Sequence, residues 1–296
     1  MASFHQSWSF VLSLLFAATA YAASLQQVTN FGENPSNALM NIWVPDKLAP
    51  NPAILVALHG CMQTAQAYYS STKEYTQAAD QRGFIVIYPG ANNRERCHDV
   101  ATTASLTHNG GSDSLAYVNM VKYAIQKYNA DPERVFASGS SSGGMMTNVL
   151  CAVYPDVFAG GAPISGVPAG CLAGSPGSGP LSADPDCAAG KIIKTPQQWG
   201  DQVRSFYPGY NGTYPRVQVW HGTSDRLVTY PNLEETLKQW SNIHGVQLTE
   251  QVPNTPQRSY TKLIYGDGTK LVGYSAQGVG HTVPVHPVQI LEFFGL

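Results

Sequence analysis

Short apolar runs that alternate with helical segments are the feature that most limits how this chain can fold. Residues 53–58 and 84–88 are continuous apolar runs, which are typical of strands buried on both faces of a sheet. Residues 64–81 have the length and composition of a helix that ends at Gly83. Parallel strands joined by helices form a sheet that is covered on both faces. We therefore expect an α/β fold with a mostly parallel central sheet.

The alternation continues along the chain. Apolar residues recur at spacings of three and four from Leu115 to Tyr128, after a cap at Ser112 or Asp113, and predict a helix. Residues 168–190 are rich in Gly, Pro and Ser and lack periodicity, which predicts a long surface excursion. The chain has no internal repeat or linker, so we expect one domain. Further strands are predicted at 38–44, 134–137, 157–164 and 216–220, and further helices at 145–153, 197–206, 231–243 and 286–294.

Composition excludes some classes of partner. Only 12% of the residues are charged, the formal net charge is -2, and there is no basic run. Such a surface neither neutralises a phosphate backbone nor holds an anionic membrane. The sequence therefore predicts a globular protein that binds neither nucleic acid nor membranes.

The first residues have the pattern of a targeting segment. Residues 8–19 are an apolar run that ends in Ala20-Tyr21-Ala22, as in signal peptides. A membrane anchor is the alternative, but the run is shorter than the roughly 20 apolar residues that span a bilayer. We predict a signal peptide over residues 1–22, a secreted mature domain over residues 23–296, and a glycosylation site at Asn211 in an Asn-Gly-Thr sequon.

Residues 139–143 form a G-x-S-x-G sequence between a predicted strand and a predicted helix. Glycines are needed there because the serine of this motif lies on a sharp, strained turn. The turn exposes the hydroxyl group and directs the N-terminus of the next helix toward it. We predict that Ser141 is a nucleophile, since Ser140 and Ser142 each lack one of the two glycines. A serine-rich turn without catalytic meaning is the alternative.

An acid and then a histidine follow the serine in chains that carry this motif. Asp225 lies on a loop at the carboxyl end of the predicted strand 216–220, where open α/β sheets bind ligands. Its rival Asp201 lies in a predicted helix, where aspartates usually face solvent. His281 lies in a glycine-flanked loop before the last predicted helix, so we predict that it is the general base and that Asp225 orients it. The other downstream histidines are His221, His244 and His286.

The predicted reaction also requires hydrogen-bond donors for an oxyanion. Residues 59–63 follow the strand 53–58, where this fold supplies half of its oxyanion hole. We predict that the backbone N–H groups of Cys61 and Ser142 are the donors, with an ordinary turn as the alternative. No Cys or His cluster has zinc-ligand spacing, and the chemistry requires no metal or cofactor, so we predict neither.

Five cysteines leave one unpaired in an oxidising compartment, and the sequence alone does not determine the pairing. Cys151 lies in a predicted apolar helix, where a free thiol packs as a small hydrophobic group. Cys171 and Cys187 bracket the excursion, so a bridge between them would staple a segment with little core. Cys61 would then pair with Cys97.

Several segments together resemble carbohydrate esterase family 1, specifically the fungal acetylxylan esterases, which are close to feruloyl esterases and polyhydroxybutyrate depolymerases. The resemblance implies an α/β-hydrolase fold and removal of acetyl groups from acetylated xylan or a related plant cell-wall polysaccharide. It assigns the nucleophile, acid and base to Ser141, Asp225 and His281. Ser140 and His98 depart from it, because a larger apolar residue and an aromatic residue are usual at those positions. The segments are residues 59–63, 139–146, 165–171, 198–201, 220–225 and 280–281.

Trp199 is the one candidate substrate-binding side chain. It could wall an acyl pocket or lie under a sugar ring, and packing in the core is the alternative. Other functions remain open at this point: a feruloyl esterase, a polyhydroxybutyrate depolymerase, an inactive polysaccharide-binding protein, or a serine peptidase with the same chemistry. We expect the protein to be a monomer.

Overall fold

A ten-stranded sheet forms the centre of the protein in the computed structural model, which describes Met1 and residues 24–296. The strand order is β1-β2-β4-β3-β5-β6-β7-β10-β9-β8. The six strands from β4 to β10 in this order are parallel, and the strands at each end pair antiparallel. The strands are β1 (Gln26–Val28), β2 (Leu39–Trp43), β3 (Ile54–Leu58), β4 (Ile85–Gly90), β5 (Val135–Ser140), β6 (Gly160–Ile164), β7 (Arg216–Gly222), β8 (Leu248–Pro253), β9 (Tyr260–Tyr265) and β10 (Leu271–Ala276).

Helices cover both faces of the sheet. On one face α3, α4, α6 and α7 share a core with alternate residues of β3, such as Ile54 and Val56. On the other face α1, α2 and α8 pack with Leu55 and Ala57. This alternation explains why β3 is apolar at every position. The helices are α1 (Ala65–Ser71), α2 (Lys73–Arg82), α3 (Ser112–Tyr128), α4 (Ser142–Val153), α5 (Pro185–Ala188), α6 (Pro196–Phe206), α7 (Pro231–His244) and α8 (Pro287–Phe294).

The predicted α/β class and the mostly parallel sheet are confirmed, but one predicted helix is wrong. Residues 64–81 form two helices, because the backbone leaves the helical region at Thr72. The Thr72 hydroxyl group donates to the carbonyl of Tyr68 at 2.7 Å, a local bond that competes with helix continuation. The excursion, residues 168–190, is mostly turns, with the single short helix α5.

The described residues leave out most of the predicted targeting segment. The predicted signal peptide lies outside the described residues apart from Met1, so it stays a prediction. Within residues 24–296, none of the helices combines the length and the apolar character needed to cross a bilayer.

Candidate active site

Ser141 lies on the turn between β5 and α4 with a φ of 58°, in the left-handed region. The turn is possible because glycines flank it. A Cβ atom at Gly143 would collide with the backbone carbonyl of Leu58, and one at Gly139 would lie 2.5 Å from the carbonyl oxygen of Gly143. The two glycines therefore let α4 pack directly on the ends of β3 and β5, and Ser141 projects from the carboxyl edge of the sheet.

A continuous chain of hydrogen bonds joins the three predicted residues. The distance from Ser141 Oγ to His281 Nε2 is 2.8 Å, and that from His281 Nδ1 to Asp225 Oδ2 is 2.7 Å. Because an ionised carboxylate only accepts, Nδ1 carries the ring proton of a neutral His281 and Nε2 accepts from the Ser141 hydroxyl group. The arrangement can therefore take the hydroxyl proton at Nε2.

The surroundings of Asp225 keep its carboxyl group ionised. Burial alone would raise its pKa, but the hydrogen bond from His281 and those from the backbone N–H groups of Val228 and Leu227 outweigh burial and lower it. Both amides donate to Oδ1 at 2.9 Å, while Oδ2 faces His281. The carboxylate is therefore fixed in orientation and charged where an imidazolium would form.

The loops that carry Asp225 and His281 touch through their backbones. The N–H group of Ser224 donates to the carbonyl of Val279 at 3.0 Å. A Cβ atom at Gly222 would collide with the same carbonyl, so the close approach requires glycine. The distance between the acid and the histidine is thus set by main-chain contacts.

The two predicted oxyanion donors belong to segments that adjoin Ser141. Ser142 is the first residue of α4, where backbone N–H groups have no partner within the helix. Cys61 lines the same cleft as Ser141, and an ideal Cβ atom at the preceding Gly60 would lie only 3.4 Å from Ser141 Cβ. The Ser142 amide therefore lies at a helix N-terminus that favours negative charge, and the segment that carries Cys61 closely approaches Ser141.

His98 connects the two segments that carry these amides, a role that its sequence position did not indicate. Its backbone N–H group donates to Ser142 Oγ at 2.8 Å, and its Nε2 lies 3.0 Å from the carbonyl oxygen of His59. Burial lowers the pKa of His98 well below its ordinary value, so the ring is neutral. Since the carbonyl only accepts, Nε2 carries the proton and Nδ1 accepts from the Tyr117 hydroxyl group at 2.6 Å.

A cleft of about 1030 Å³ opens above Ser141 and crosses the carboxyl edge of the sheet. Its lining contains both polar and apolar residues. Polar side chains come from residues 63–74, and several apolar ones come from α4, the excursion and the Asp225 loop. The polar set is Gln63, Tyr68, Ser71, Thr72 and Glu74, and the apolar set is Met145, Val167, Leu172, Ala188, Leu227 and Val228.

The substrate-binding prediction for Trp199 is wrong. Trp199 is fully buried where α6 packs against α7, and its Nε1–H group donates to Glu235 Oε2 at 2.8 Å. It is not among the residues that line the cleft, because the amphipathic α6 turns its apolar face into the core. Asp201, the rival acid, is exposed on the same helix and pairs with Arg204 at 3.2 Å.

Both predicted disulfides are present, and one borders the cleft. Cys61 pairs with Cys97, which ties the loop after β3 to the loop after β4. Cys171 pairs with Cys187 across the excursion, and Cys151 is a buried free thiol in α4. The predicted glycosylation site, Asn211, is exposed. Within the described part of the chain, no three His, Cys, Asp or Glu side chains are grouped so that they could hold a metal ion.

The fold and the hydrogen-bonded Ser, His and Asp define an α/β hydrolase of the serine-hydrolase type. The family model of Esterase PHB depolymerase matches residues 41–246, and the chain belongs to this family. It is therefore a carboxylic ester hydrolase, and the resemblance to carbohydrate esterases is confirmed.

The relatives of the chain fall into two named activities. A feruloyl esterase B of Neurospora crassa is 54% identical over 283 residues, which cover 95% of this chain and 96% of that protein. An acetylxylan esterase of Coprinopsis cinerea is 47% identical over 283 residues, covering 93% of this chain and 74% of that protein. The solved structure of an acetyl xylan esterase from Aspergillus awamori has a TM-score of 0.88 and 45% identity, covering 92% of this chain and 99% of that chain.

The contact at Gly143 gives a prediction about stability. Gly143→Ala should lower the free energy of unfolding by about 1–3 kcal/mol, because the new methyl group overpacks against the Leu58 carbonyl. Gly280→Ala is the matched control, since its Cβ atom would meet only Ser224 O at 3.9 Å. Urea unfolding measures both variants, and equal stabilities would contradict the packing argument.

The lowered pKa of Asp225 predicts a pH dependence of stability. The unfolded carboxyl group titrates near its ordinary value of 3.8 and the folded one below it, so the stabilisation is full above 3.8 and is lost as the pH falls through the folded pKa. Asp225→Asn lacks this stabilisation. The difference in Tm between parent and variant should therefore be largest near neutral pH and shrink below pH 3.8. A constant difference across thermal melts from neutral to acid pH would refute the assignment.

Proposed function

We propose that the protein is a secreted serine esterase that removes acetyl groups from acetylated xylan through an acyl-enzyme. The observation that carries the chemistry is the unbroken hydrogen-bond chain from Ser141 through His281 to Asp225 at the lining of the cleft. The two disulfides and the signal-peptide pattern support secretion, because disulfides persist in oxidising compartments. Asn211, exposed and in a sequon, is the proposed glycosylation site.

The reaction has two steps. His281 Nε2 takes the proton of Ser141 Oγ as the oxygen attacks the ester carbonyl, and the N–H groups of Cys61 and Ser142 stabilise the oxyanion. The imidazolium, stabilised by the Asp225 carboxylate, gives its proton to the leaving sugar oxygen. Water then attacks the acetyl-enzyme with the same base, which frees acetate and restores Ser141.

The choice of substrate rests on the relatives and on the cleft. Acetylxylan esterases are among the relatives by sequence and by structure, and polar residues in the lining of the cleft offer hydrogen-bond partners to a sugar. Hydrolysis of feruloyl esters is the second candidate. The 54% identity to a feruloyl esterase B and the apolar residues in the lining of a cleft of about 1030 Å³ favour it.

The triad assignment predicts the effect of two substitutions. Ser141→Ala should lower kcat by a factor on the order of 10⁶ without loss of the fold, by analogy with other triads. Asp225→Asn should lower kcat by about 10⁴, because the histidine then takes the wrong tautomer. Asp201→Asn is the matched control and should keep the parent rate on 4-nitrophenyl acetate. Ser141→Ala activity within tenfold of the parent would overturn the assignment.

The substrate assignment predicts the outcome of a direct comparison. Acetate release from acetylated xylan and ferulate release from a feruloylated arabinoxylan fragment are measured with the same enzyme preparation, with Ser141→Ala as the blank. Specificity for the acyl group lies in the shape of the cleft. Because the chain shares its fold and 45% of its sequence with a solved acetyl xylan esterase, we expect a higher kcat/KM for acetate release. Faster ferulate release would make the second candidate the function.

A further inference from the structure

Glu95 contacts two segments that contribute to the lining of the cleft. It belongs to the loop after β4, two residues before Cys97, whose disulfide to Cys61 ties this loop to residues 60–63. The Glu95 carbonyl also accepts a hydrogen bond from the N–H group of Met62 at 2.8 Å. We name residues 60–63 the β3 loop; it carries Cys61 and lines the cleft. The backbone of Glu95 is thus fixed to one wall.

The Glu95 side chain binds the second of these segments. Its Oε1 accepts from the N–H group of Leu181 at 2.8 Å, and its Oε2 accepts from the hydroxyl group of Ser182. Gly179 lies against the same carboxylate, so closely that a Cβ atom there would collide with it. We name residues 178–185 the excursion wall; six of these eight residues line the cleft.

Apart from Glu95, the excursion wall is held by a hydrogen bond from the Asp184 N–H group to Ser175 Oγ at 2.6 Å, and by the packing of Ala183 against the core. Its sequence is rich in Gly, Pro and Ser, it forms turns, and Leu181 is 87% exposed. The nearest disulfide partner, Cys187, lies beyond its end, and Ser178 adds one hydrogen bond from the Val100 N–H group at 2.9 Å. Hydrogen bonds to an ionised carboxylate are stronger than neutral ones. Glu95 is therefore the main tie between the excursion wall and the β3 loop.

We propose that Glu95 is a positioning residue that sets the width of the cleft between the β3 loop and the excursion wall, and thereby selects the esters that reach Ser141. This role rests on the proposed esterase function of the same cleft. Glu95 is half-buried and is not one of the residues that line the cleft, so it acts through the wall it holds. Loss of the carboxylate frees the wall and admits larger groups.

The test compares kcat and KM for 4-nitrophenyl acetate and 4-nitrophenyl butyrate. In Glu95→Ala the ratio of kcat/KM should shift toward butyrate by about threefold or more, while kcat for acetate stays within about twofold of the parent. Glu95→Gln keeps a carbonyl oxygen for the Leu181 N–H group, so it should restore part of the parent ratio. A role in folding alone would change Tm without changing this ratio.

Two further variants test the contact from the other side and control for changes elsewhere in the excursion. Ser182→Ala removes one donor from the excursion wall and should shift the ratio in the same direction by less, even if Glu95→Ala does not fold. Asp186→Asn is the matched control. Asp186 lies in the same excursion but does not line the cleft, and its exposed carboxylate pairs with Lys191, which follows the excursion. An unchanged ratio in folded Glu95→Ala, or in Ser182→Ala if the first does not fold, overturns the proposal.

The parent enzyme distinguishes this proposal from the proposed function. A parent that hydrolyses these esters but not acetylated xylan refutes only the proposed substrate. A parent that is inactive on all of them refutes both the esterase function and the role of Glu95.

Discussion

The backbone contact between α4 and the ends of β3 and β5 is the constraint on which the active site depends. At Gly139 and Gly143 the main chains approach so closely that no Cβ atom fits. This contact places the first turn of α4 beside Ser141 and next to the β3 loop. The position of Ser141, the proposed oxyanion amide of Ser142 and the helix N-terminus are therefore consequences of a single packing contact.

Burial and hydrogen bonding determine whether each polar group around this contact is charged or neutral. Asp225 is ionised, because His281 and two backbone amides outweigh its burial. His98 is neutral, because burial dominates and its ring nitrogens face one acceptor and one donor. A fixed negative charge therefore lies beside His281, and a neutral imidazole lies next to Ser142, whose amide is a proposed oxyanion donor. This distribution suits a reaction that creates an imidazolium at His281 and an oxyanion near Ser142.

Local signals in the sequence predicted the centre of the protein well. The apolar strands and the glycines around Ser141 have patterns that are set within a few residues, and chain order then identified Asp225 and His281. The edge strand β8 and its neighbour β9 were missed because β8 is mostly exposed, β9 is mostly half-buried, and neither has a continuous apolar run. The role of Trp199 was predicted wrongly because local sequence does not distinguish a tryptophan that packs in the core from one that stacks on a sugar ring. The contacts of Glu95 were invisible for another reason: its partner Leu181 is 86 residues away along the chain.

The environment of Cys151 determines whether the two disulfides can rearrange within the folded protein. Its thiol is buried in α4, and burial raises its pKa, so almost no thiolate forms. Thiol–disulfide exchange requires a thiolate that can reach a bridging sulfur. Cys151 is therefore unreactive in the folded protein, and it cannot exchange with the Cys61–Cys97 or Cys171–Cys187 disulfide. An odd number of cysteines, which in a secreted chain suggests intermolecular pairing or a reactive thiol, here leaves both bridges undisturbed.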